Sequence, residues 1–223
     1  MQPKNFTILG ERSSGTEILK QFILDNFDIP YTQEFGSTHF FGFYDYNYIF
    51  TEETMFICIV RDPVDWINAF YQNPQYIPIQ NQSLDNFLEK PFYSIWSNVI
   101  GENIISDKES NQSTIESIIH EDRNIITHQP YKNIFELRKV KTEYLTETLP
   151  ALVKHHELIR YEDLLENPQL ILEKIQQKYG FAAKQFTSTK QVQPNTQVSP
   201  VSDETIQYIK SKLDLDQENN LGY

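Results

Sequence analysis

The chain has 223 residues, 39% hydrophobic and 13% aromatic, a composition that can bury a core and that excludes a disordered chain. Its formal net charge of −12 excludes an extended nucleic-acid face, yet a small anionic ligand could be held by a few converging arginines. One cysteine excludes an intramolecular disulfide, and with no apolar signal segment and no run long enough to span a bilayer, a cytoplasmic, membrane-free location is expected.

A single α/β domain over residues 1–223 is the expected arrangement. Phe6-Thr7-Ile8-Leu9 reads as a buried strand running into Gly10-Glu11-Arg12-Ser13-Ser14-Gly15-Thr16. Ile18, Leu19, Phe22 and Ile23 then repeat with the period of one helix face. Strand, glycine-bounded loop and helix is the layout of a phosphate cradle, because the loop amides and the unpaired N–H groups of the first helical turn converge. Gly10 and Gly15 have the spacing of a Walker loop, but Thr16 stands where its lysine belongs. The loop therefore suits one phosphate group better than a triphosphate with Mg²⁺. The bland reading of the same residues is a tight turn without a ligand.

Asp28-Ile29-Pro30 ends that helix, and an aromatic stretch over residues 35–50 follows, with His39 between Gly36 and Gly42. A lone histidine among aromatics is more often a packed ring than a catalyst. Residues 55–60 are continuously apolar, as in a central parallel strand, and Cys58 within them reads as core filler. Asp62 is a good N-cap and Pro63 a good first helical residue, with Trp66, Ile67 and Phe70 on the buried side. Arg61 then lies at the carboxyl edge of the strand, where open α/β sheets bind ligands, unless it simply pairs with Asp62 or Asp65.

Residues 74–130 turn irregular, with short helical patterns over 84–88 and 115–119, and read either as an acceptor-covering segment or as a surface excursion. Aromatic residues over 40–48, with Tyr93 and Trp96, could stack a sugar or an aromatic ring. Ile134, Leu137, Lys141, Tyr144 and Leu145 follow helical spacing until Pro150 stops it. Residues 156–161 are a third strand, Asn167-Pro168 opens a helix that Gly180 ends, and residues 181–200 form a polar, glutamine-rich loop. A last helix over 203–213 precedes Leu221-Gly222-Tyr223.

Three strand-to-helix transitions thus carry Arg12-Ser13-Ser14-Gly15-Thr16, Arg61-Asp62-Pro63 and Arg160-Tyr161-Glu162-Asp163-Leu164-Leu165-Glu166-Asn167-Pro168. With Asp62-Pro63-Val64-Asp65-Trp66, Asn133-Ile134, Leu137-Arg138 and the closing Leu-Gly-Tyr, the chain resembles, over nearly its whole length, the sulfotransferases that use 3′-phosphoadenosine-5′-phosphosulfate (PAPS), in particular a small microbial and viral branch. The resemblance implies a P-loop-type three-layer α/β fold, with a central parallel sheet flanked by helices. It also implies sulfuryl transfer from PAPS to a hydroxyl or amine of a small molecule or carbohydrate, leaving the bisphosphate nucleotide PAP, with no metal required. On matching positions it places Ser14, Gly15 and Thr16 at the 5′-phosphate, Arg61 at the 3′-phosphate, Tyr161 near the adenine and His39 as general base. Ser13 stands where many members carry a lysine or arginine that neutralises the leaving phosphate, Thr38 where a lysine often precedes the histidine, and Ala69 where a serine adds a contact to the 3′-phosphate. Arg12, with the Ser13, Ser14, Gly15 and Thr16 amides, is expected to supply the missing charge. The alternatives are a nucleotide-binding protein of the same fold that no longer catalyses and, with the Walker lysine absent, a P-loop kinase.

Overall fold

The computed structural model describes residues 2–39, 41, 48–95, 123–182, 184 and 199–223. Among them, β1 (Asn5–Gly10), β2 (Thr54–Val60) and β3 (His155–Arg160) form a parallel sheet in the order β1-β2-β3. Every residue of β2 is buried, which is why its sequence is an unbroken apolar run. The two-residue period of the strand divides that run between two faces. Met55, Ile57 and Ile59 enter one cluster with Phe6 and Ile8, while Phe56, Cys58 and Val60 enter another with Leu9.

Helices of six or more residues among the described ones include α1 (Thr16–Asn26), α2 (Pro63–Gln72), α3 (Leu84–Glu89), α4 (Ile134–Glu143), α5 (Tyr161–Glu166), α6 (Pro168–Tyr179), α7 (Asp203–Lys212) and α8 (Leu215–Asn220). Leu19 and Ile23 of α1 and Ile171, Leu172 and Ile175 of α6 cover the first face. Leu145, Leu149 and Leu221 cover the second with Phe35 and Phe41. A separate cluster joins Trp66 and Phe70 of α2 to Phe87 of α3, Ile134 and Leu137 of α4 and Ile209 of α7. The chain is thus α/β, a parallel sheet flanked by helices. No helix among the described residues is long and apolar enough to cross a membrane.

Local signals place most boundaries. Asp62 Oδ1 accepts from the amides of Val64 and Asp65 at 2.9 and 3.0 Å, starting α2 with Pro63. Gly180, at φ +70°, ends α6.

Three boundaries differ from expectation. Pro150 does not stop the helical path: after α4 a π-helical turn (Tyr144–Thr148) leads into a further turn (Leu149–Leu152), where proline occupies a first-turn position that needs no amide. Helix α5 begins at Tyr161, directly after β3, so the Tyr-Glu-Asp motif is helical. Helix α8 has too few apolar residues to show a periodicity, and is started by Asp214 Oδ1 accepting from Gln217 N at 3.2 Å.

Of the irregular segment, α3 is present over the first helical pattern, and Phe92 forms an antiparallel bridge with Tyr131, the residue just past the segment's end. Phe92 N donates to Tyr131 O at 2.8 Å and Tyr131 N to Phe92 O at 2.9 Å. The second helical pattern (115–119), Phe40, residues 42–47, Trp96 and most of the glutamine-rich loop lie outside the described residues.

Candidate functional site

The loop after β1 opens with a turn in which Ser14 N donates to Glu11 O at 3.1 Å. The backbone is left-handed at Ser13 (φ +64°) and Gly15 (φ +91°), on either side of Ser14. Alternating left-handed with ordinary backbone turns successive amides to one side and makes an anion-binding hollow. Gly15 is also the N-cap of α1, where it supplies no side-chain acceptor for the first-turn amides. A Cβ on Gly15 would stand 2.6 Å from Tyr161 Cε2, so the close approach of loop and ring requires glycine. Ser14 is 1% exposed, and its buried hydroxyl has no hydrogen-bond partner among the described residues. Leaving a buried hydroxyl so costs free energy that an incoming anion would offset.

Arg61 leaves the carboxyl edge of β2, one strand over, because the parallel register sets Gly10 opposite Ile59. Its Nη1 donates to Ser13 O at 3.0 Å, its Cζ lies 4.5 Å from the ring centroid of Tyr161, and its Nε is buried without a hydrogen-bond partner among the described residues. Tyr161 arrives from the third strand, where Arg160 is opposite Val60. Partial burial raises the Tyr161 phenol above its ordinary pKa, with the Arg61 charge acting in the opposite sense. The three strand-to-helix transitions therefore meet: Ser13 and Gly15, Arg61 and Tyr161 are in mutual contact.

The Arg61 turn is fastened from several directions. Its carbonyl accepts from Arg138 Nη2 at 2.9 Å. Asp62 N donates to Glu162 Oε1 at 2.8 Å, and Tyr223 OH donates to Glu162 Oε2 at 2.9 Å. Burial first, then the like charges of Asp62 and Glu162, raise the Asp65 carboxyl, while Arg61 opposes them.

His39 is half-buried at the end of β1. Gly10 N donates to Thr38 O at 3.0 Å, and His39 Nδ1 is 2.9 Å from Gly10 O. A carbonyl oxygen only accepts, so Nδ1 carries the hydrogen, and in the neutral ring Nε2 keeps its lone pair. Thr38 Oγ1 is 3.1 Å from Tyr31 OH.

Arg12 is placed differently from expectation. Its guanidinium is buried, donates to Gln75 O at 3.2 Å and Ser94 Oγ at 2.7 Å, and lies 4.8 and 5.9 Å from the ring centroids of Phe70 and Phe92. Its carbonyl accepts from Trp66 Nε1 at 2.8 Å. Two oxygens and two ring faces draw the charge into the α2–α3 cluster, so that Arg12 fastens the loop to its support. Glu17, by contrast, faces outward and pairs with Lys20 at 3.0 Å.

Sequence reasoning passed over Glu11 and Lys141. Lys141 is 1% exposed, and its Nζ lies 2.9 Å from Glu11 Oε1 and 3.0 Å from His39 O. The available signal was a lysine on the apolar face of α4. Among the described residues, no group of three His, Cys, Asp or Glu side chains is placed to hold a metal ion. Comparison with protein-family models and with curated proteins finds no match to this chain.

Proposed function

We propose that the chain is a PAPS-dependent sulfotransferase that transfers a sulfuryl group to a hydroxyl or amine of a small molecule or carbohydrate. The observation that carries this reading is the 3.0 Å contact of Arg61 with the carbonyl of Ser13, which sets a guanidinium with donors to spare beside the left-handed loop. The loop amides, the Ser14 hydroxyl and the first turn of α1 suit one phosphate group. The remaining donors of Arg61 suit a second, and the Tyr161 ring offers an apolar wall for a base. Two separated phosphate groups on one nucleoside fit this donor set better than a triphosphate, which would need the Walker lysine.

PAPS, when bound, supplies an activated sulfuryl group. His39 receives the acceptor's proton at Nε2, with the ring held by the bond from Nδ1 to Gly10 O. The Ser13, Ser14, Gly15 and Thr16 amides meet the charge that develops on the phosphate. Arg12 shapes that loop from behind, by its bonds to Gln75 and Ser94. This placement also favours the second reading, a nucleotide-binding protein without turnover, since Ser13 stands where a cation is usual and Arg12 is engaged elsewhere.

A thermal-shift titration with PAP, PAPS and ATP–Mg²⁺ tests the reading. PAP and PAPS raise the unfolding midpoint, corresponding to about 2.7 kcal/mol at a hundredfold excess over Kd, and Arg61→Ala loses most of that shift. Stabilisation by ATP–Mg²⁺ alone overturns it. Release of PAP from PAPS in the presence of mixed hydroxyl acceptors separates the two readings. The enzyme releases PAP and His39→Gln does not, whereas a binding protein holds PAPS unchanged.

A further inference from the structure

The Glu11–Lys141 pair is buried on both sides, with side chains 6% and 1% exposed, and the reading above does not use it. Removing two charges from water costs about as much as their attraction returns, so such a pair is weak evidence of stabilisation and better evidence of a specified geometry. What it specifies is visible in its contacts. Glu11 is the residue that follows Gly10, and Gly10 is bonded through its amide to Thr38 O and through its carbonyl to the His39 ring. Lys141 Nζ holds the His39 carbonyl at 3.0 Å and Glu11 Oε1 at 2.9 Å, and lies 5.2 Å from the Phe41 ring centroid. One ammonium therefore holds the histidine segment at His39 and Phe41 and ties it to the residue that opens the phosphate loop.

We propose that Lys141, oriented by Glu11, is a positioning residue for His39: it fixes the backbone from which the imidazole reaches Gly10 O, and with it the face that Nε2 presents. The proposal rests on the sulfotransferase reading only for its catalytic consequence. The positioning itself is a property of the folded chain. Substituting one partner takes away one charge of a buried pair and can unfold the protein, so the informative variant is Glu11→Leu with Lys141→Met, which removes both charges together. Lys141→Arg is the conservative companion, retaining a cation.

The measurement is ¹⁵N NMR of the histidine side chains near neutral pH, with the His39 signals assigned by their loss in His39→Gln. In the wild-type chain the His39 shifts report hydrogen on Nδ1. In the double variant they move to the exchange-averaged values of an unanchored ring, and Lys141→Arg restores them in part. PAPS turnover is read beside it: kcat falls by about tenfold to a hundredfold while the PAP thermal shift is kept, because the misplacement is at the base and not at the nucleotide. Unchanged His39 shifts in a folded double variant overturn the proposal, as does an equal loss of PAP binding and turnover. If the wild-type chain neither binds PAP nor consumes PAPS, the sulfotransferase reading fails, and the nitrogen shifts still decide whether Lys141 positions His39.

Discussion

His156 shows how a single side chain couples this fold to pH. Burial holds its imidazole below the usual histidine range, against the Leu145 carbonyl and the Glu157 carboxylate, which favour the charged ring. Its Nε2 is 3.0 Å from Leu145 O. Above the unfolded pKa of about 6.5 both states are neutral there and the residue adds no pH dependence. As pH falls through that value the unfolded chain takes up a proton that the folded chain resists, so stability is lost toward the lowered folded pKa. The urea midpoint is accordingly expected to drop between about pH 7.5 and pH 5.5, and by less in His156→Gln than in the wild type. An identical drop in both assigns the effect to other groups.

At the scale of elements, α4 and α8 act as a clasp on the Arg61 turn. Arg138 Nε and Nη2 donate to the two oxygens of Glu218 at 2.9 and 2.8 Å, both residues are buried, and the same Nη2 reaches the Arg61 carbonyl. The guanidinium also lies 5.4 Å from the Trp66 ring centroid. The forked geometry of arginine matches a carboxylate, and a lone buried charge has no such match. Glu218→Gln should therefore cost about 3–5 kcal/mol of unfolding free energy, and Arg138→Met with Glu218→Leu should recover most of it. Urea unfolding of both variants measures this, and a double variant as unstable as the single one would show that the pair earns its place through packing alone. Beyond α8, Leu221 packs with the second sheet face and Tyr223 stacks under Arg160 at 4.5 Å while bonding Glu162, so the chain's last described residues complete the setting of both motif turns.

At the scale of the whole molecule, the sheet is assembled from distant strands. Gly10 pairs with Ile59 and Val60 with Arg160, and parallel pairing over such separations is slow to form. Cys58, the one cysteine of the chain, is completely buried in the central strand and burial pushes its thiol pKa far up, which makes it a reporter of global opening. A thiol reagent at neutral pH is expected to leave the native chain unmodified and to label it at the rate of unfolding in urea. Fast labelling of the native chain would mean that β2 opens locally.

What was legible in the sequence is local. The apolar run of β2, the Asp62-Pro63 start of α2, the glycine-bounded loop that runs into α1 and Gly180 at the end of α6 each follow from a period, a cap or a turn residue that neighbours in the chain enforce. The parallel arrangement follows too, because helices separate the strands and cover both faces. The partners of long side chains do not. Arg12 binds Ser94, 82 residues away, Arg138 binds Glu218, 80 away, and Lys141 binds His39, 102 away. A flexible cation can reach any acceptor within its length, and only the packed chain decides which acceptor is there, so the motifs were visible in advance while the direction of Arg12 and the hold of Lys141 on His39 were decided by the tertiary structure.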